Sequence, residues 1–499
     1  MELGLQFEDI FCYESTVGIT SAHEESLETA IPEYCPDITR IVDVVGRLII
    51  REKLLNEDRC TISGSVKVTI LYTSEEVVGL RSLTMSVPFS CVLDDRTLDR
   101  CGTVCVDGRV LLAEARAVTS RKVYIKVLPE ITVVGYRSVK RRLCCSVQEE
   151  SSIRKRCSNS NVCLLTAISE KGFSFTNDVI LENGAMPEDI LIHRMRPAIL
   201  STQRLGNKLM VKGEMWFWAL YRGEDQTLHQ HDAVVPFSQI LDVAELPEEA
   251  EYQLNPQLEE CDLRILRIDG GNGFGLTARV NIVIFSYQNR ALRYVEDLYS
   301  THFDTEVERQ EITFPLMSPV HTVQQEAQLR LEFEGREPFI SVTDADCSSP
   351  EVLPAENGVT LRTTLHVRLL YLDESGTPVS TERTAEVCAA VKEVDGPVTA
   401  YCSAALLQFT GSACQVRIPV YFLLGCIGEE TLSGITSLTL NEAKPLDGPS
   451  LILCRMGTSD TLWDIAKRYQ TDEEAIRNAN HLEDEENIGN CMLLIPKVR

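Results

Sequence analysis

Aromatic residues are scarce in this sequence, 6% of 499 positions, and cations are outnumbered, 48 Lys and Arg against 74 Asp and Glu. The formal net charge of −26 excludes a general nucleic-acid binder, because phosphate contacts need clustered Lys and Arg. It equally excludes adsorption to an anionic membrane, and it describes a solvated, self-repelling surface. No stretch reaches the roughly 18 apolar residues of a membrane span, so no membrane insertion is expected; the longest, such as Val420–Gly425, are strand-length. The N-terminus has no basic n-region and carries Glu2, Glu8 and Asp9 where a leader would be apolar. The chain is therefore expected to stay in the reducing, cytosolic compartment where it is made.

Metal-ligand spacing is missing as well. Among 18 cysteines there is no CxxC pair, and the nearest approaches are Cys101/Cys105 and the adjacent Cys144–Cys145. Reduced thiols acting as small hydrophobes are the expectation, with late oxidative cross-linking as the alternative. The His229-x-His231 pair has no third ligand in view, and an exposed strand face accounts for it. Gly270–Gly275 is glycine-rich but lacks the Lys-Ser/Thr and following helix of a phosphate loop. No G-x-S-x-G elbow is present, and no carboxylate pair is marked out. No metal, cofactor or catalysis is expected.

What is present is a repeat. Gly64–Tyr72 reads GSVKVTILY, Gly213–Tyr221 reads GEMWFWALY and Thr363–Tyr371 reads TTLHVRLLY. In each, apolar residues alternate in one register and end on the tyrosine, the mark of a half-buried strand. The tyrosines lie 149 and then 150 residues apart (221 − 72 and 371 − 221). The first two copies share more: Val87-Pro88-Phe89 and Val235-Pro236-Phe237, each followed by Leu-Asp, and Pro36-Asp37-Ile38 echoed by Pro187-Glu188-Asp189-Ile190. The third keeps mainly its strand. Trp216 and Trp218 share a strand with opposite parity to Tyr221, and sheet packing is the expected use of that face.

Further strand candidates close each copy, Val104–Ala117 with Lys122–Tyr136, Leu263–Ile268 with Leu276–Tyr287, and Tyr401–Phe409 with Cys414–Gly425. Asp269-Gly270-Gly271-Asn272-Gly273 between the second pair is a hairpin turn. Short strands with dense turn signals predict a mainly β protein, three tandem antiparallel sandwich- or barrel-like domains. The expected limits are an N-terminal segment 1–27, repeats at 28–140, 161–295 and 296–440, and linkers at 141–160 and 441–450. A period near 150 residues is too long for a solenoid, so the repeats are expected as separate beads.

From Leu451 the pattern turns helical. Asp460 is placed to N-cap a helix from Thr461 to about Tyr469, with Leu462, Ile465, Ala466 and Tyr469 on one face. Thr471 and Glu474 have capping-box spacing for a second helix. Strands at Leu451–Cys454 and Met492–Ile495 give a βααβ order over 451–499. The run Asp460-Thr461-Leu462-Trp463-Asp464-Ile465-Ala466-Lys467-Arg468-Tyr469, with Asn480-His481-Leu482 and Leu493-Leu494-Ile495-Pro496, resembles the core of LysM modules. Those modules bind N-acetylglucosamine glycans in a groove between the loop before the first helix and the loop before the last strand. The resemblance implies groove residues Ser459, Asp460, Thr461, Leu462 and Trp463 on one side, and Asn480, Ile488, Asn490 and Cys491 on the other. Ser459 and Asn490-Cys491 stand where the family usually has glycine and Gly-Gln, and Glu483–Glu486 adds acid beside them. These departures favour a protein partner for the groove, with Trp463 and Met456 as anchors, beside the peptidoglycan reading.

Repeats ahead of a C-terminal LysM resemble one family, the SipL-like spore-coat morphogenetic proteins of clostridia and relatives. The Pro-Asp-Ile segment, the strand ending at Tyr72 and the Pro-Phe step carry that resemblance. It implies a non-enzymatic scaffold in the mother-cell cytoplasm, assembled on the forespore surface, whose LysM contacts a spore-coat basement ATPase. The rival reading is a wall anchor or hydrolase accessory.

Overall fold

The structure is a computed structural model that describes the whole chain except residues 1–3, 149–151, 182–185, 244–246, 248, 269–270, 333–338, 395, 404, 411–412, 443–449, 458–459, 483–490 and 497–499. It is mainly β. The first repeat comprises β1 (Leu5–Ala22), β2 (Glu25–Ala30), β3 (Arg40–Asn56), β4 (Arg59–Thr73), β5 (Leu80–Asp94), β6 (Thr103–Thr119) and β7 (Lys122–Val147). The second comprises β8 (Ile153–Leu181), β9 (Pro187–Leu205), β10 (Lys208–Gly223), β11 (Leu228–Asp242), β12 (Glu251–Ile268) and β13 (Gly271–Ser300). The third comprises β14 (Asp304–Glu332), β15 (Ile340–Cys347), β16 (Glu351–Ala355), β17 (Gly358–Leu372), β18 (Pro378–Val391), β19 (Val398–Cys402), β20 (Leu406–Thr410) and β21 (Ala413–Asn441).

Each repeat uses one topology. A long edge strand leads into a three-lane antiparallel meander, then a returning edge strand and a long central strand complete a second sheet. The strands that end on Tyr72, Tyr221 and Tyr371 are the middle lanes β4, β10 and β17. The tyrosines even share partners, pairing with Ile41, Ile190 and Ile340 on the preceding strand. Their alternating side chains fill a sandwich core: Val66, Val68, Ile70 and Tyr72 pack over Val123, Ile125, Val127 and Ile131 of β7. The alternate positions Ser63, Lys67 and Thr69 are polar and half-buried, while Ser65 and Leu71 in the same register are buried.

The glycine that opens the first two signatures answers a β-bulge. Gly64 and Gly213 lie opposite points where β3 and β9 each carry an extra residue, which pushes a carbonyl toward the middle strand. A Cβ on Gly213 would lie 2.3 Å from the Ala198 carbonyl oxygen and 2.6 Å from the Phe237 ring. In the third repeat the neighbouring strand breaks instead, β15 ending at Cys347 and β16 starting at Glu351. Thr363 fits there and donates to the Ser348 carbonyl at 2.7 Å. Gly213→Ala is therefore expected to cost about 2 kcal/mol through overpacking, read as a lower urea midpoint. A change within about 0.5 kcal/mol, as for an ordinary surface site, would refute the bulge argument.

The repeats are not beads. Segment 1–27, expected to precede the first repeat, supplies its edge strand β1, paired from Leu5 to Ala22 with β7. The expected linker 141–160 is strand on both flanks: β7 pairs with β1 out to Val147, and β8 pairs with β13 from Ile153. The polar run after Tyr136 extends as strand because its arginines are neutralised, Arg137 and Arg141 both bridging to Glu14. The outer halves of β1/β7, β8/β13 and β14/β21 thus form three two-stranded ribbons that pack into a common stem. One stem core draws Ile10, Cys12 and Leu143 from the first ribbon, Val162, Leu164 and Leu292 from the second, and Ile312, Phe314 and Leu432 from the third. A second joins Val147, Leu298 and Leu438. The Arg141 Nε donates to the Thr313 carbonyl at 2.7 Å, Arg290 pairs with Glu8 and Ser160 with Glu430, so every ribbon pair is bridged.

At the other end the three meanders meet around Leu71, Leu220 and Leu370, the residues before the three tyrosines. Arginines close this ring between neighbours. Arg47 of the first repeat reaches the Cys261 sulfur of the second, Arg196 of the second the Cys402 carbonyl of the third, and Arg109 of the first the Cys347 carbonyl of the third. Trp218 is half-buried, with Arg194 of its own repeat over the ring, and packs against the core of Val45, Leu71 and Leu370, so the expected sheet-packing use of that face is in part an inter-repeat contact. No described helix is long and apolar enough to cross a membrane.

Candidate binding module and its dock

The C-terminal module is β22 (Leu451–Arg455), α1 (Leu462–Tyr469), α2 (Glu473–Asn480) and β23 (Met492–Pro496). β22 and β23 pair antiparallel, and the helices cover one face of that sheet. Both helix starts fall one residue later than the sequence suggests. Thr461, not Asp460, caps α1: its hydroxyl accepts from the Asp464 amide at 3.2 Å while the Asp464 carboxylate takes the Thr461 N–H. Asp460 instead accepts from the Gly457 amide at 3.1 Å. Asp472, not Thr471, caps α2; Thr471 is buried and donates to the Pro496 carbonyl. Gln470 and His481 end the helices at positive φ, the usual left-handed stop.

Beyond Asp460 and Thr461, which serve the first turn of α1, the expected groove residues meet different fates. Ser459, Ile488 and Asn490 lie outside the described residues, as does the acidic run Glu483–Glu486. Leu462 and Asn480 serve the module itself. Leu462 is in its core with Ile465, Ala466, Ile476, Leu493 and Ile495. The Asn480 side-chain amide donates to the Ile476 and Leu494 carbonyls at 2.8 and 2.6 Å and accepts from the Leu494 N–H at 2.7 Å, which ties α2 to β23. Cys491 is exposed.

Trp463 is elsewhere altogether. Expected as an anchor for a partner, it is 7% exposed and seated on the base of the stem; Met456, the other expected anchor, is buried too. The Trp463 ring meets Tyr299 edge-on, centroids 4.9 Å apart, with the Arg156 guanidinium over it at 5.6 Å. Its indole N–H donates to Asp297 at 2.8 Å. The same carboxylate accepts from Lys467 at 2.7 and 2.8 Å, from Arg309 and from the Leu298 amide. Around this point Arg154 pairs with Asp472 at 2.7 Å and the Tyr299 hydroxyl donates to the Thr471 carbonyl at 2.8 Å. Burial alone would raise the Asp297 carboxyl; hydrogen bonds from Lys467 and Trp463, with the charges of Lys467 and Arg309, hold it below the ordinary range. Sequence reasoning did not find Asp297 or Tyr299, since nothing local marks a lone carboxylate more than 160 residues upstream as the acceptor of the motif tryptophan.

Family comparison resolves the two kinds of unit. A family model described as SipL, SPOCS domain matches residues 37–116 and 187–266, and a LysM domain model matches 458–488. The chain carries SPOCS and LysM domains in the SipL-like arrangement. No curated protein and no solved structure gave a match. The SPOCS segments coincide with the meander and the returning edge strand, β3 to β6 and β9 to β12. The ribbon strands β1, β7, β8 and β13 lie largely or wholly outside the matched segments, and the third repeat is not among them, in keeping with Thr363 in place of the bulge glycine. SPOCS and LysM are binding domains without catalytic activity of their own, and together they mark a sporulation-related protein with a module of the peptidoglycan-binding type.

Proposed function

We propose that this chain is a non-enzymatic assembly scaffold of the spore coat, in which the SPOCS-bearing body holds a LysM module that docks to a coat-basement ATPase-type morphogenetic protein. The mother-cell cytoplasm, at the forespore surface, is where such a scaffold works. The observation that carries this reading is the fate of Trp463. A glycan anchor on a tether needs its groove free on all sides. Here Trp463 and Lys467 of α1 are committed to Asp297 and Tyr299, and Leu462 and Asn480 to the module's own packing. Fixed geometry between module and body suits a part that sets the spacing of two proteins.

Two assays on the purified full chain separate the readings: co-sedimentation with cortex peptidoglycan, and binding to the purified coat-basement ATPase of the same cells. Saturable binding to the ATPase with no retention on peptidoglycan is expected. Retention on peptidoglycan, competed by N-acetylglucosamine oligomers, without ATPase binding would replace the scaffold with the glycan-anchor reading.

A further inference from the structure

The LysM sheet is apolar on both faces. Ile452, Cys454, Leu493 and Ile495 point to the helices, Ile452 partly buried and the other three buried. The alternate positions, Leu451, Leu453, Met492, Leu494 and Pro496, form the opposite face, where Leu451, Leu453 and Met492 are 50%, 64% and 59% exposed. Leu453 pairs across the ladder with Leu494, and Leu451 with Pro496, so the apolar atoms are contiguous. Strands apolar on both sides belong to sheets covered on both sides, and here three large apolar side chains stand exposed together on two paired five-residue strands. Among the described residues the body packs against α1 and the turn into α2, while Leu451, Leu453 and Met492 stay exposed.

We propose that this outer face, centred on Leu453, Leu494 and Met492, seats an amphipathic helix with acidic flanking residues, carried by the protein partner. The proposal rests on the docking reading above and names the surface it uses. A glycan does not fit, since the face offers no side-chain hydrogen-bonding group apart from Arg455 at one end. A second copy is disfavoured by the −26 charge that each chain brings and by the meeting of Arg455 with its own image. Arg455 lies across from Met492 and makes no ion pair among the described residues, so a carboxylate beside the apolar ridge complements it. Five-residue strands give a face about 17 Å long, the length of about three helical turns, and helix-in-groove recognition uses that span.

The test uses the purified full chain and the purified coat-basement ATPase. Leu453→Glu and Met492→Glu are each expected to weaken binding at least about tenfold, and together to abolish it. Arg455→Glu is expected to weaken it about fivefold and to flatten its salt dependence. Val92→Glu, at an exposed apolar site on the first repeat, serves as control and should change nothing. Circular dichroism should be unaltered throughout, since all four side chains are exposed. Hydrogen exchange in the complex should protect a helix of the ATPase with Asp or Glu beside its apolar stripe. If the wild type binds and the two glutamate variants bind equally well, the surface is wrong and the scaffold reading stands. If the wild type does not bind, the docking reading falls and this proposal with it. Self-association of the wild type, lost in Leu453→Glu, would assign the face to a second copy and overturn the proposal.

Discussion

Replacing Asp297 by asparagine is expected to free the LysM module from the stem while leaving both folded. The substitution keeps the shape but removes the charge shared by Lys467 and Arg309, and it strands two cations beside the buried Trp463 and Tyr299. Breaking one partner of a buried pair costs about 3 kcal/mol, so amide exchange across α1 and at Tyr299 should accelerate about a hundredfold, with the repeats unaffected. The pH dependence has a fixed sign. The Asp297 carboxyl is held below its ordinary value near 4, so its contribution to the docked state is complete above that value and is lost as pH falls through the lowered one. Wild type should therefore undock only in acid, whereas Asp297→Asn should be undocked at neutral pH as well. Equal α1 exchange in the two proteins at pH 7 would refute the dock.

A larger loss is expected from Phe314→Ala in the stem. Phe314 is fully buried among residues of all three ribbons, and truncating such a phenylalanine costs about 4 kcal/mol. The tryptophans make the measurement discriminating. The chain has three, Trp216 and Trp218 in the second repeat and Trp463 in the LysM module; the third repeat, where the substitution lies, has none. If the ribbons share one core, the urea transition followed by tryptophan emission should move to a lower midpoint although no tryptophan is in the altered repeat. If the repeats unfold independently, that transition will not move.

The sequence makes some of this legible and hides the rest for identifiable reasons. Alternation around Tyr72, Tyr221 and Tyr371 reads as three equivalent strands because each turns its apolar positions to a sandwich core from one face along most of its length, and they are the three middle lanes. The 3.6-residue pattern of Leu462, Ile465, Ala466 and Tyr469 reads as a helix for a similar reason. The stem is invisible because its strands carry their charges to partners across the fold: Arg141 looks like linker until Glu14, on a strand more than 120 residues earlier, is beside it. The cap of α1 slips by one residue because Asp460 and Thr461 are equally good caps, and only Gly457 decides which oxygen is engaged elsewhere. Trp463 is read as a contact for a partner because its motif says so, and its true neighbours, Asp297 and Tyr299, are set by tertiary packing that no local pattern encodes.

The shared cores also bear on counting. Three separate chains meeting through such ribbons would come apart on dilution, since their association would depend on concentration. Joined end to end, with β7 stopping at Val147 and β8 starting at Ile153, the repeats stay at millimolar effective concentration whatever the expression level. A symmetric trimer would also present three identical stem bases and recruit three LysM modules. Covalent linkage lets the bases differ, and the carboxylate that holds Trp463 occurs in only one of them. Within these 499 residues three β repeats thus accompany one LysM, a ratio held by covalent linkage and not by equilibrium.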